Sequence, residues 1–127
     1  MPERTLILKT KFYKYSQNNT GGSYNIDKAR GIGKFVFVEA ISPEDANKRA
    51  RLIGLYFDGY GDCECCGNRW HEQYSEKEGQ EVPKIFGQDV SVGKFKGFCG
   101  TIGIDSYIHY LDGTIQTIKT VRTWPSE

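Results

Sequence analysis

No apolar run in these 127 residues approaches the ~20 needed to cross a bilayer. The N-terminal Met-Pro-Glu-Arg leads into only four residues, Thr-Leu-Ile-Leu, before Lys9 intervenes. A secretory leader needs an apolar region of about 7–15 residues, so neither export nor membrane insertion is expected. A charge excess is also missing: 17 Lys and Arg face 16 Asp and Glu. A protein that grips duplex nucleic acid through many phosphates carries a basic surplus, so that partner is not expected. The chain has no Walker loop, nucleophile elbow or metal-hydrolase motif, and only two histidines. These absences favour binding over catalysis. No internal repeat and no linker divide the chain, so residues 1–127 are expected to form one domain.

What the chain does have is aromatics: eight Tyr, seven Phe and two Trp, 13% of the residues. Flat rigid rings of this kind serve cores, interfaces and base-stacking sites alike, and composition does not choose among the three. Four cysteines would suffice for two disulfides, but Cys63, Cys65 and Cys66 are too close in sequence for most pairings. Thiols or metal ligands fit them better.

The alternation of Leu6, Leu8, Thr10 and Phe12 with Ile7, Lys9, Lys11 and Tyr13 predicts a half-buried strand over residues 6–15. A polar Ser/Gln/Asn/Thr/Gly stretch at 16–23 predicts an exposed loop. Residues 34–40, apolar on both faces, predict a strand near the sheet centre. Ser42-Pro43-Glu44-Asp45 is a helix start, with a Ser cap, Pro at the first helical position and acids in the first turn. Ala46, Ala50 and Ile53 form its core stripe and Gly54 its stop. The Gly-rich segment 57–70 predicts a structured loop, 70–74 a short strand, and 76–81 a charged turn around Gly79. Segments 90–92 and 95–104 are ambiguous. Asp112-Gly113 between β-prone runs at 106–111 and 114–121 predicts a C-terminal hairpin with a type I′ turn. The expected fold is α+β: an antiparallel sheet with one main helix packed on one face.

Several groups are candidates for chemistry. Cys63, Cys65, Cys66 and His71 have the donors for tetrahedral Zn²⁺, with Cys99 as a further ligand, but the spacing lacks the two separated pairs of a zinc knuckle. Small buried thiols beneath Trp70 are the plainer alternative. His71 lies five residues from Cys66 without any thiol-enzyme signature, and an exposed cross-strand position accounts for His109. Arg30 followed by Gly31-Ile32-Gly33 is a weak anion loop, since it precedes a strand rather than a helix. The helix face Lys48, Arg49 and Arg51 reads as solvated, with an anion site between subunits as the alternative. Arg69, Lys119 and Arg122 with Tyr107, Tyr110 and Trp124 offer the guanidinium and ring combination that nucleotides use.

Residues 35–40 and 42–54 are followed by Tyr56-Phe57-Asp58-Gly59, Asp62-Cys63-x-Cys65-Cys66-Gly67-x-Arg69-Trp70, Pro83-x-Ile85-Phe86-Gly87 and Tyr107-Ile108-His109-Tyr110-x-Asp112-Gly113. Together, over residues 33–121, they resemble a widespread family of small bacteriophage proteins. In size and layout the chain is also similar to the Thoeris anti-defence sponges, phage proteins that sequester glycocyclic ADP-ribose immune signals and, in some members, cyclic oligonucleotides. The resemblance implies a homo-oligomer, dimer or hexamer, in the host cytoplasm, which holds a cyclic nucleotide between subunits without cleaving it and without a cofactor. It supplies no matched binding positions, so the expected ligand contacts rest on chemistry: Arg30, Arg69 and Arg122 for phosphate, and Phe86, Tyr107 and Tyr110 for stacking. A metal-dependent enzyme that degrades such a messenger at the cysteine loop, and a protein–protein inhibitor of a host factor, are the alternatives.

Overall fold

The computed structural model describes residues 9–17, 26–57, 70–97 and 105–121. The first part of the predicted N-terminal strand, most of the Ser/Asn/Gly loop, the cysteines, Arg69, Arg122, Trp124 and residues 98–104 lie outside that set. Within it, β1 (Lys11–Ser16), β2 (Phe35–Ala40), β6 (Ser106–His109), β7 (Ile115–Val121) and β5 (Lys94–Lys96) form one five-stranded sheet. Its order is β1-β2-β6-β7-β5. A separate two-stranded ribbon pairs β3 (Lys84–Ile85) with β4 (Gln88–Asp89), and α1 spans Pro43–Ile53.

The sheet is mixed, which corrects the expected antiparallel one. β1–β2 and β6–β7 are antiparallel, but β2–β6 and β5–β7 are parallel. Alternation and β-propensity identify strands without fixing their direction. Direction is set by the connections, and here α1 and the segments after it return the chain to the end of the sheet from which β2 started, the crossover a parallel pair requires.

β2 lies next to the central β6, near the sheet centre as its two-sided apolarity predicts, and is buried along almost its whole length. Successive side chains alternate between two cores. Val36, Val38 and Ala40 face α1 and join Tyr13, Tyr15, Ala46, Ala50 and Trp70. Phe35 and Phe37 face the other way and join Ile108, Ile118, Phe95 and the ribbon residues Ile85 and Val90. In β1 the side with the lysines was the expected solvent face, yet Tyr13 and Tyr15 on that side are its most buried residues.

The helix begins as its sequence predicts: Ser42 accepts from the Asp45 backbone N–H at 3.0 Å, Pro43 opens the first turn, and Gly54 (φ +131°) closes the last. A feature absent from the apolar stripe is Asn47, buried next to it. Its Oδ1 accepts from the Tyr15 hydroxyl (2.7 Å) and from the Gln73 N–H (2.9 Å), while its Nδ2 donates to the Gln73 carbonyl (2.9 Å). One side chain thus joins helix, β1 and the segment after Trp70. Residues 71–75 form no strand, contrary to expectation. Their backbone is held by this amide rather than by a ladder, and the following Glu76–Glu78 is a 3-10 turn with a Ser75 capping box.

The β6–β7 connection also differs from the type I′ turn expected. Gly113 is at φ +95° but Asp112 is not at positive φ. Gly113 N–H donates to the Tyr110 carbonyl, and Tyr110 N–H donates to the Thr114 carbonyl, both at 2.9 Å. Residues 111–113 therefore form a three-residue loop ending in a left-handed glycine. Asp112 Oδ1 accepts from both the N–H and the hydroxyl of Thr114, an Asx arrangement that explains the aspartate without positive φ.

His109, expected on an exposed cross-strand position, is instead only 9% exposed. Its Nε2 lies 2.7 Å from the Gly31 carbonyl. A Cβ on Gly31 would sit 2.8 Å from that nitrogen, and one on Gly33 only 2.0 Å from the Asp105 carbonyl. The two glycines therefore let the 27–33 loop lie directly on β6 and the residue before it. Among the described residues no helix is long and apolar enough to cross a membrane.

Two outcomes follow. Asn47→Ala strands three buried polar groups and should lower unfolding free energy by about 3 kcal/mol in urea titration, against about 1 kcal/mol for Tyr15→Phe. Burial holds the His109 imidazole below its ordinary 6.5, the Gly31 bond opposing only in part. The unfolded imidazole therefore protonates first, so stability should be unaffected by this group above pH 6.5 and decline as pH falls below it. In His109→Gln that part of the pH slope should vanish.

Candidate functional site

The β3–β4 ribbon turns through Phe86 and Gly87, at φ +49° and +81°. Both central residues at positive φ are what a type I′ turn demands, so the two-residue turn expected at Asp112-Gly113 occurs here. Asn, Asp or Gly normally occupies the first position. Phe86 is the one non-glycine residue at positive φ among those described. A bulky residue there is a genuine outlier, costing roughly 1–2 kcal/mol.

The strained backbone does not put the ring into the core. Phe86 keeps 67% of its surface exposed, with one edge against the sheet. Phe35, Phe86 and Phe95 form a triangle whose centroids are each 6.3 Å apart, Phe35 meeting Phe86 edge-on at 88°. Lys14 Nζ lies 5.5 Å from the Phe35 centroid and 5.7 Å from that of Phe86. Lys34 Nζ lies 4.9 Å from the Phe35 centroid. These are cation–π distances. Burial of the Lys14 ammonium beside the rings pushes its pKa below the usual lysine range. A second ring face or an anion that shares these ammoniums meets charge already partly stripped of water, which strengthens the contact.

Of the six residues expected to bind ligand, the four that are described do not converge. Phe86 belongs to the patch. Tyr107 is buried on the α1 side of β6, against Gly33. Tyr110, three residues on, faces the opposite side, edge-on to Phe12 at 5.8 Å and donating its hydroxyl to Gln116. It shares that side with Phe86, but Phe35 pairs level with Ser106, four residues before Tyr110, a separation of about 13 Å along the strand. Arg30 stays at the surface near Gly54, paired with Asp27 at 3.5 Å. Arg69 and Arg122 are outside the described residues. On the helix face, Arg49 pairs with Asp45 at 3.0 Å and Arg51 with Glu72, so two of those three cations already have carboxylates.

Lys14, Lys34 and Phe35 are the site residues that the sequence did not single out. Lys14 carried a signal: in the alternation of β1 it falls on the side of Phe12, the apolar side, where a solvated lysine has no place. For the metal reading, His71 is exposed, its cysteine partners lie outside the described residues, and among the described residues no three His, Cys, Asp or Glu side chains cluster to hold an ion.

Residues 10–126 match the family described as Domain of unknown function (DUF7296), and the chain belongs to it. No curated protein and no solved structure matches the chain.

Replacing Phe86 tests whether the turn is strained. Ordinarily Gly is about 0.5–1 kcal/mol worse than Ala. Here Phe86→Gly should be more stable than Phe86→Ala by about 1 kcal/mol in thermal or urea unfolding, because only glycine relaxes at φ +49°.

Proposed function

We propose that the protein is a binding protein whose Phe86 patch captures an anionic, ring-bearing small molecule, a cyclic nucleotide, and leaves its bonds intact. The observation that carries this is the exposed Phe86 ring, held at positive φ beside the Lys14 ammonium, with the Lys34 ammonium over the neighbouring Phe35 ring. Strain of that kind persists where the surroundings enforce it and clusters at ligand clamps. Every nucleobase has a π-face, and stacking one on an aromatic side chain contributes about 1–3 kcal/mol without base selectivity. Lys14 and Lys34 then meet the phosphates as point charges, and two cations suffice for a ligand with two or three phosphate groups. A near-neutral chain is compatible with this, since a small ligand needs local charge only.

The resemblance to the bacteriophage family and to the Thoeris anti-defence sponges narrows the ligand to glycocyclic ADP-ribose or a cyclic oligonucleotide. It makes the protein an anti-defence factor of the host cytoplasm, acting as a homo-oligomer. Sequestration needs no catalytic residue, and none of the patch side chains is a nucleophile paired with a base. The binding set thus becomes Phe86, Lys14 and Lys34, replacing the dispersed Arg30, Tyr107 and Tyr110.

Calorimetry of the purified protein against glycocyclic ADP-ribose and cyclic di- and trinucleotides tests the proposal. One of these should bind, Phe86→Gly should weaken it by about tenfold or more, and chromatography after denaturation should return the ligand uncut. Absence of heat with every nucleotide, or recovery of cleaved product, overturns it.

A further inference from the structure

On the α1 side of the sheet, away from Phe86, a groove of about 240 Å³ lies between the C-terminal half of α1 and the β6–β7 loop. Val38 and His109 line it from the sheet, Leu52 and Ile53 from the helix, and Leu111 from the loop. The apolar residues at its margin stand out from the surface instead of closing over it. Leu52, off the Ala46, Ala50 and Ile53 stripe, is 80% exposed, and Leu111 and Ile115 are 41% and 48% exposed. Ile115 continues this margin, since its side chain and the His109 ring meet at Gly31. Single exposed apolar residues need no explanation, but three around one groove mark an interaction surface. Small-molecule sites bury most of their ligand and occupy roughly 300–1,000 Å³, so a smaller groove with a raised apolar rim suits a protruding side chain on a protein surface.

Charge narrows the partner. Arg49 stands on the helix wall of the groove, one turn before Leu52 and Ile53. Its Nε donates to Asp45 at 3.0 Å, and its two Nη groups have no partner among the described residues. Asp112 lies across the groove in the β6–β7 loop, between the lining residues Leu111 and Gly113. Only its Oδ1 is engaged, by the N–H and hydroxyl of Thr114. Among the described ion pairs Arg49 joins Asp45 and not Asp112. One surface thus carries a projecting leucine beside an apolar recess, and a guanidinium edge facing outward beside a carboxylate oxygen doing the same. Such a surface is complementary to itself: a two-fold axis brings each projection to the other copy's recess and each cation to the other copy's anion.

We infer that this groove is the contact between two copies of the chain related by a two-fold axis. Leu52 of each copy enters the groove of the other, and Arg49 of each meets the partner's Asp112. An unrelated protein would need its own matching projection and charges, whereas a second copy supplies both at once. The contact gives a surface to the homo-oligomer proposed above but rests on the groove alone. Phe86 and its ring partners lie on the opposite side of the sheet, so nucleotide binding and dimer formation succeed or fail separately.

Sedimentation velocity of the full chain across the micromolar range tests this. The wild-type chain should be dimeric. Leu52→Glu, at an exposed helix position, should keep its helical circular dichroism and sediment as a monomer. Arg49→Asp and Asp112→Arg each set like charges face to face at both ends of the contact and should weaken the dimer by at least about tenfold. An equimolar mixture of those two variants should regain the dimer, because under two-fold symmetry one end then joins the two substituted residues and the other end the two native ones. A wild-type chain that stays monomeric overturns the inference and leaves the groove to a different occupant. So does an assembly of any size that Leu52→Glu leaves unchanged, or a mixture that sediments no differently from its two components.

Discussion

Everything in this fold follows from the burial of β2 on both of its faces. A strand of the composition Phe-Val-Phe-Val-Glu-Ala has nowhere to expose its side chains, so each face must be covered, and by different material. On one side α1, immediately downstream, returns across Val36, Val38 and Ala40 with Ala46 and Ala50, residues small enough for helix and sheet to approach closely. On the other, the short β3–β4 ribbon lays Ile85 and Val90 over Phe37 and Ile108. The ribbon is only two residues long on each side, too short for independent stability. Its place on the sheet depends on that apolar contact and on the turn that carries Phe86.

Side-chain amides finish what the ladders leave open. All five glutamines of the chain donate Nε2 to a backbone carbonyl: Gln17 to Gly33, Gln73 to Lys14, Gln80 to Lys84, Gln88 to Lys96 and Gln116 to Ser91. Gln80 and Gln88 also accept the N–H of the same residue they donate to, as Asn47 does with Gln73. Each such amide stands in for one residue of a missing strand. At β5, an edge strand, this blocks the unpaired backbone that would otherwise invite pairing with another chain. At residue 73 it fixes beside β1 a segment that forms no ladder with it. Amides are suited to the task because one planar group supplies a donor and an acceptor with the spacing of a peptide bond.

The same two coverings produce the two concave or ring-lined surfaces. The ribbon brings Phe86 against Phe35 and Phe95, within reach of Lys14 and Lys34, on one side. The end of α1 and the β6–β7 loop enclose His109 on the other, where the 27–33 loop anchors one of its ring nitrogens. Neither surface is encoded in a contiguous motif. Both join residues far apart in the chain, so local pattern does not associate Lys14 with Phe86 and gives His109 an exposed position.

Local chemistry determined the helix from its Ser42 cap to its Gly54 stop, the interior place of β2, and the existence of a hairpin around Asp112-Gly113. In each case the cause is short-ranged: a cap bonds within three residues, alternation sets which faces are apolar, and glycine tolerates positive φ wherever it stands. The tertiary structure decided strand direction, the form of each turn, the burial of His109, and which aromatic stays exposed. Those depend on contacts between segments far apart in sequence, where a parallel β2–β6 pairing or a glycine pressed onto an imidazole overrides what the local residues alone would choose. Phe86 is the clearest instance, since its intrinsic preference opposes positive φ and only the pairing of β3 with β4 places it there.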